Sequence, residues 1–253
     1  MTAPSDLSDR TTIVVGASRG LGRGIATAFA QAGSKVIAVG RTAPTTVPTS
    51  SAAGAGVIHT EVADAGDPTV PGGLLDRHEP ETVILVAGAA PLMRPLQHQT
   101  WETFSVNWQS DVRIAFHWVR EALLQRLRPG SRVVVISSGA ALMGSPLSGG
   151  YAGAKATQRF IAAYAQEEAQ RAGLGITFTA VLPRITPFTD LGRPAVRAYV
   201  ARSGQTEEQY AEQFGPPLTP EVAGAALVEL ARADTGTIAH GYLLTGTGLQ
   251  QLA

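Results

Sequence analysis

Thr12-Ile13-Val14-Val15-Gly16-Ala17-Ser18-Arg19-Gly20-Leu21-Gly22 is the stretch that decides the fold. Four β-branched residues read as a short buried strand, and the glycines after them as a tight turn. Residues 21–32, ending at Gly33, carry a helical pattern. Lys35-Val36-Ile37-Ala38-Val39 then supplies a second short apolar run. A strand, a glycine turn, a helix and a parallel strand therefore follow one another directly. Glycine lets backbone approach a phosphate closely, and a helix N-terminus offers unpaired N–H groups and a positive dipole end. In this context Gly16, Ser18, Arg19, Gly20, Leu21 and Gly22 form a candidate dinucleotide cradle. Tight strand-helix packing would also use such glycines.

The same letters spell a second motif. Gly16-Ala17-Ser18-Arg19-Gly20 matches the Gly-x-Ser-x-Gly nucleophile elbow, with Asp190 and His240 following in the order a hydrolytic triad needs. Against that reading, an elbow belongs in mid-sheet after several strands, and no Gly-rich oxyanion segment precedes this one.

Outward from the turn, apolar runs at 56–62, 82–86, 132–137, 176–182 and 241–244 read as further strands. Helical patterns occupy 101–127, 151–172 and 220–232. Strands alternating with helices predict an α/β fold: a Rossmann-type doubly wound parallel sheet with helices on both faces, in a single domain over 1–253. Two connections look poorly helical. Residues 42–54 hold Pro44 and Pro48, and residues 65–80 hold Pro68, Pro71 and paired glycines. Residues 184–217 form a long excursion carrying Tyr199, Tyr210 and Phe214, which suits a substrate lid. Trp101, Trp108 and Trp118 fall on one long helical stretch and read as packing residues.

Composition narrows the partners. The 253 residues are 44% apolar and 16% charged, with a formal net charge of zero and a pI near 7.0. No basic field points to nucleic acid or to an anionic membrane. There is no cysteine, which excludes disulfides and thiolate metal sites. His59, His78, His98, His117 and His240 show no metal-ligand spacing, so no metal is expected. Met1 to Arg10 lacks the apolar core of a secretory signal, and no apolar run approaches the ~18 residues of a membrane span. A cytoplasmic protein acting on small molecules is the expectation. Of 20 basic residues only Lys35 and Lys155 are lysines, so each retained lysine raises a question.

Lys155 has an answer close by. Tyr151-Ala152-Gly153-Ala154-Lys155 places a phenol and an ammonium four apart, on one face of a helix. A nearby cation favours a phenolate, so such a phenol can give a proton to an alkoxide or take it back. At the end of the second strand, Gly40-Arg41 stands where an acidic residue would bind an unsubstituted ribose. Arg41 and Arg19 together suit a 2′-phosphate through forked hydrogen bonds, favouring NADP(H) over NAD(H).

With these motifs in hand, the chain resembles the short-chain dehydrogenase/reductase family over essentially its full length. The glycine motif is matched by Gly16, Gly20 and Gly22, and the Tyr-x-x-x-Lys motif by Tyr151 and Lys155. Ser138, thirteen residues before the tyrosine, matches the family serine better than Ser137, and Asn107 in Phe104-Ser105-Val106-Asn107 matches the helical asparagine. The resemblance implies an NADP(H)-dependent enzyme that reduces a ketone or aldehyde to an alcohol, or the reverse. In it Tyr151 would be the acid/base, and Lys155 would assist Tyr151 and bond the nicotinamide ribose. Ser138 would hold the substrate oxygen, and Asn107 would fix a helix irregularity and a water. Glu61 and Val62 would lie beside the adenine, Ala87 and Gly88 along the cofactor, and Pro183, Ile185 and Thr186 at its nicotinamide end. A homodimer or homotetramer, built on the helices around Trp101 and Tyr151, is also implied.

The chain departs from the family in three places. Leu85-Val86 replaces the paired asparagines, Arg184 replaces the glycine after Pro183, and Thr245-Gly246-Thr247-Gly248 replaces the closing Asp-Gly-Gly. A non-catalytic NADP(H)-binding sensor on the same fold is the alternative these departures leave open. Gly139 to Met143, Pro183 to Phe188 and Leu191 to Phe214 would line the substrate pocket, and their apolar members suggest a hydrophobic carbonyl compound.

Overall fold

The computed structural model describes residues 7–42, 55–187 and 189–252. Most of the loop expected at 42–54, and Phe188, lie outside the described residues. Eight strands form one sheet in the order β3-β2-β1-β4-β5-β6-β7-β8. They are β1 (Thr11–Val15), β2 (Lys35–Gly40), β3 (Ile58–Val62), β4 (Thr82–Leu85), β5 (Arg132–Ile136), β6 (Thr177–Pro183), β7 (Gly241–Thr245) and β8 (Gly248–Gln251). The first seven run parallel, and β8 pairs antiparallel with β7. The central strands β4 and β5 are buried along their whole length because helices cover both faces.

Side chains divide by the period of two. Ile13 and Val15 of β1 face one core, and Val14 faces the other. On the Val14 side lie α1 (Gly20–Gln31) and α9 (Pro220–Arg232), packed through Ile25, Phe29, Ala223 and Leu227. On the opposite side lie α2 (Val70–His78), α4 (Arg113–Glu121) and α6 (Tyr151–Arg171), contributing Leu75, Trp118 and Ala162. The remaining helices are α3 (Trp101–Asn107), α5 (Ala140–Met143), α7 (Gly192–Ser203) and α8 (Glu207–Glu212). The sheet order reverses between β1 and β4, which opens a crevice at the carboxyl ends of those strands.

The structure corrects several local expectations. The stretch read as poorly helical contains α2. Pro71 sits in its first turn, where the missing N–H costs no helical hydrogen bond, and buried Leu74 and Leu75 anchor it to the core. The long helix at 101–127 is not regular: α3 passes into a π-helical turn (Trp108–Val112), then α4, then a second π-helical turn (Ala122–Arg126). Of its three tryptophans only Trp118 is fully buried, donating its Nε1–H to Ala65 O at 3.2 Å. Trp101 is 72% exposed and Trp108 is 41% exposed. The excursion at 184–217 holds α7 and α8, with Tyr199 stacked on Tyr210 and Phe214 tilted against Tyr210. Among the described residues no helix is long and apolar enough to cross a membrane.

Candidate active site

The glycine turn is held at the crevice by backbone hydrogen bonds. Gly16 and Ala17 both donate to Val39 O, at 2.8 and 3.4 Å, so the turn leans across the end of β2. Gly16 has φ +94°, and a Cβ there would lie 2.6 Å from Ala87 N. A Cβ on Gly22 would lie 2.1 Å from Gly16 O, so turn and helix meet without room for a methyl group. No side chain caps the start of α1, and its first N–H groups keep their donor capacity. Ser18 sits beside Gly40, next to Arg41. Arg19 and Arg41 are exposed, and neither forms an ion pair with a described residue. On the far side, Thr186 and Thr189 share a 3.0 Å hydroxyl contact, and a Cβ on Gly20 would lie 3.7 Å from Cγ2 of Thr189. The start of the 184–217 excursion thus closes over the turn.

The reactive groups gather at the same end of the sheet. Lys155, on the first turns of α6, is 5% exposed and donates to Ile136 O at 3.4 Å, which fixes its head at the end of β5. Its ammonium lies 5.5 Å from the centre of the Tyr151 ring, with Tyr151 half-buried. Ser137 is buried and donates to Lys155 O at 2.6 Å, so it ties β5 to α6. Ser138 is half-buried and its oxygen accepts from Ala140 N at 3.2 Å, leaving its hydroxyl hydrogen for another partner. Asn107 is fully buried where α3 passes into the π-helical turn, with Nδ2 donating to Ala89 O at 2.7 Å and Oδ1 unpartnered.

Two further residues, unsuspected from sequence, belong to this cluster. Asp111 is 1% exposed, and its Oδ2 is an ion-pair partner of Lys155 Nζ at 2.9 Å. The pair is set by distance, for that oxygen has no well-aligned hydrogen bond. Gln158, also buried, accepts from Lys155 Nζ at 2.9 Å and donates to Asp111 O at 3.0 Å. The signal for both was spacing: Asp111 falls four after Asn107, and Gln158 three after Lys155. Burial by itself would lower the lysine's pKa, but the Asp111 carboxylate and the Tyr151 phenol outweigh it and hold that pKa above its ordinary value.

Other expected residues are placed differently. Glu61 turns its carboxylate to Arg77 and His78 of α2, at 3.0 Å each, which leaves Val62, 62% exposed, as the open position at the end of β3. The hydrolase constellation does not assemble. Ser18 follows the carboxyl end of β1, whereas His240 precedes the amino end of β7, at the opposite edge of a parallel sheet. A strand length of roughly 17 Å separates such positions.

Comparison with known proteins now bears on this geometry. The family model for short chain dehydrogenase matches residues 10–199. The chain belongs to the short-chain dehydrogenase family. It is an oxidoreductase of that family, and the solved structures similar to it share the fold throughout. A short chain dehydrogenase from Mycobacterium avium is 20% identical with a TM-score of 0.75, over 98% of this chain and 86% of that one. A candidate NAD(P)-dependent gluconate 5-dehydrogenase from Beutenbergia cavernae, with NADP bound at low occupancy, is 25% identical with a TM-score of 0.79, over 96% and 98%. A candidate 2-deoxy-D-gluconate 3-dehydrogenase from Agrobacterium tumefaciens, with NADP bound, is 22% identical with a TM-score of 0.79, over 97% and 98%. No curated protein matches the chain. Within this short-chain dehydrogenase the Lys155 ammonium has Asp111, Gln158 and Ile136 O as its protein neighbours.

Proposed function

We propose that the chain is an NADP(H)-dependent oxidoreductase that reduces a ketone or aldehyde to an alcohol, or runs the reverse, with Tyr151 as general acid/base. The observation that carries this reading is the Tyr151–Lys155 pair, set beside Ser138 at the same sheet end as the glycine turn. The turn fits a dinucleotide: Gly16 and Gly22 leave backbone bare, the start of α1 is uncapped, and Ser18, Arg19 and Arg41 suit a 2′-phosphate. The NADP held by the Beutenbergia cavernae relative supports the choice of cofactor.

When bound, NADPH supplies hydride to the carbonyl carbon. Ser138 donates its free hydroxyl hydrogen to the carbonyl oxygen and holds it beside Tyr151. Tyr151 passes its phenolic proton to that oxygen as negative charge develops there. The carbon gains hydride, the oxygen gains the proton, and the product is the alcohol. A nucleotide sensor would have no use for this free serine hydroxyl beside a tyrosine.

The substrate reading follows from the lid. A cavity of about 250 Å³ lies under α7 and α8, lined by Ile185, Pro187, Val196, Tyr210, Phe214 and Leu218 among others. Its walls are mainly apolar, so a hydrophobic carbonyl compound suits it.

Titration with NADPH and NADH, followed by nicotinamide fluorescence, tests the cofactor. Losing a charged hydrogen bond costs about 1.5–3 kcal/mol, so Arg41→Ala should weaken NADPH roughly tenfold or more and leave NADH within about twofold. Absence of binding by either nucleotide would sink the reading. Assembly is a separate proposal. Phe116 on α4 and Phe160 and Tyr164 on α6 are each more than half exposed and favour a homodimer or homotetramer. Sedimentation should show a multiple of 26.3 kDa, and one species at monomer mass removes the proposal.

A further inference from the structure

We infer that Asp111 is a positioning residue that takes the Lys155 ammonium into a closed ion-pair cage and offsets its field at Tyr151, so that the phenol keeps its proton for donation to substrate.

The first support is a count of donors. An ammonium has three N–H groups and no acceptor. Those of Lys155 face Asp111 Oδ2 at 2.9 Å, Gln158 Oε1 at 2.9 Å and Ile136 O at 3.4 Å. Gln158 and Ile136 O take two of the donors and the carboxylate faces the ammonium by proximity, so Lys155 acts on Tyr151 as one half of a buried ion pair. Its charge does not act alone, because the carboxylate is 1% exposed and lies against it with little water to screen either.

The second support is the way Asp111 is fixed. Its Oδ1 accepts from Ala89 N at 2.8 Å, from Ser110 Oγ at 2.5 Å and from Asn107 Nδ2 at 3.3 Å. Gly88 makes the approach possible, since a Cβ there would lie 2.6 Å from Asp111 Oδ2. Three donors to one oxygen hold the carboxyl group in place, with its other oxygen aimed at the lysine. The same bonds tie down the loop after β4, which Leu85 and Val86 have no side-chain polar group to do. Among the described residues the ionisable groups acting on Lys155 are Asp111 and Tyr151. Gln158, bonded to both members of the pair, is neutral.

The consequence is a bias in chemistry. A lone ammonium beside a phenol promotes the phenolate, the form that takes a proton during alcohol oxidation. An ammonium already neutralised by a carboxylate promotes it less, and the acid form needed for carbonyl reduction persists to higher pH. This inference rests on the acid/base role proposed above for Tyr151.

Its test reads the phenol directly and needs no substrate. Tyrosinate ultraviolet absorbance is titrated in the wild type, Asp111→Asn and Gln158→Met, each against the same protein carrying Tyr151→Phe. The difference isolates Tyr151. Asp111→Asn should lower the Tyr151 midpoint by about one pH unit or more. Gln158→Met, which keeps both charges, should move it by less than about a third of a unit. An unmoved midpoint in folded Asp111→Asn overturns the inference.

Asp111→Asn strands a buried ammonium, and if it fails to fold, Lys155→Met combined with Asp111→Asn removes both charges. Offsetting charges predict a midpoint within about half a unit of wild type for the double variant. A rise of more than about one unit would show that Lys155 acts unopposed, and would overturn the inference. Nicotinamide titration of the same samples reports separately on the oxidoreductase reading. Loss of nucleotide binding in the wild type defeats that reading whatever the tyrosinate curves show.

Discussion

Tyr151→Phe should lower carbonyl reduction by about 10²–10⁴-fold while leaving NADPH affinity within about twofold. The substitution removes one oxygen and its proton from a half-buried ring and leaves the ring itself. Lys155 keeps its contacts to Asp111, Gln158 and Ile136 O, none of which passes through the phenol oxygen. Ser138 still holds a carbonyl oxygen, so substrate binds but its developing alkoxide receives no proton. Steady-state kinetics with NADPH and a hydrophobic ketone such as acetophenone separate these effects: kcat should fall and KM should move little. Wild-type rates in the variant would remove Tyr151 from the mechanism. Parallel loss of NADPH binding would mean that the change had disturbed the site as a whole.

Gly22→Ala should damage stability and cofactor binding together. The new methyl carbon would fall 2.1 Å from Gly16 O and 2.9 Å from Gly16 C, and both are backbone atoms that no rotamer change can move. Either α1 retreats from the sheet or the turn is pushed towards Ala87, whose backbone already meets the Gly16 position closely. Overpacking of this kind costs about 3 kcal/mol, which for a chain of this size lowers Tm by roughly 6–12 °C. Because the displaced atoms are those that approach the phosphates, NADPH should bind at least about tenfold more weakly in the protein that remains folded. Calorimetry and nucleotide titration on one preparation check both halves. Unchanged melting and binding would show that the turn is looser than its contacts indicate.

The fold was legible wherever one local rule dominated. The turn from Val15 to Gly22 has one economical reading, and the buried parallel strands announce themselves as unbroken apolar runs. The sequence misled where local signals pulled against tertiary packing. Pro71 and the glycines after it argued against a helix, but two buried leucines were enough to fold α2. β8, with two glutamines in four residues, has no strand signature of its own, and pairing with β7 creates it.

Tyr151, Lys155, Ser138 and Asn107, the residues proposed for catalysis, were visible as spaced letters, because each lies on a local motif. Their environment was not. Asp111 and Gln158 looked like ordinary polar members of amphipathic helices. Only three-dimensional packing turns them inward, one through the π-helical turn and the other through the face α6 gives to that turn. Trp101 and Trp108 failed the other way, being apolar letters that the fold leaves at the surface.

The π-helical turn at Trp108–Val112 has a consequence for how this chain can change. Such a turn spends one residue more than an α-helical path would. Upstream, Asn107 is locked to Ala89 O; downstream, Trp118 is locked to Ala65 O. The turn takes up that residue: its wider winding loses about the 100° that one more α-helical residue would add, so the helix on either side stays in phase. Deleting one residue from the turn would therefore restore a smooth helix with both anchors kept, and would remove the bulge that carries Asp111 to Lys155. The odd residue serves the reactive site and not the core.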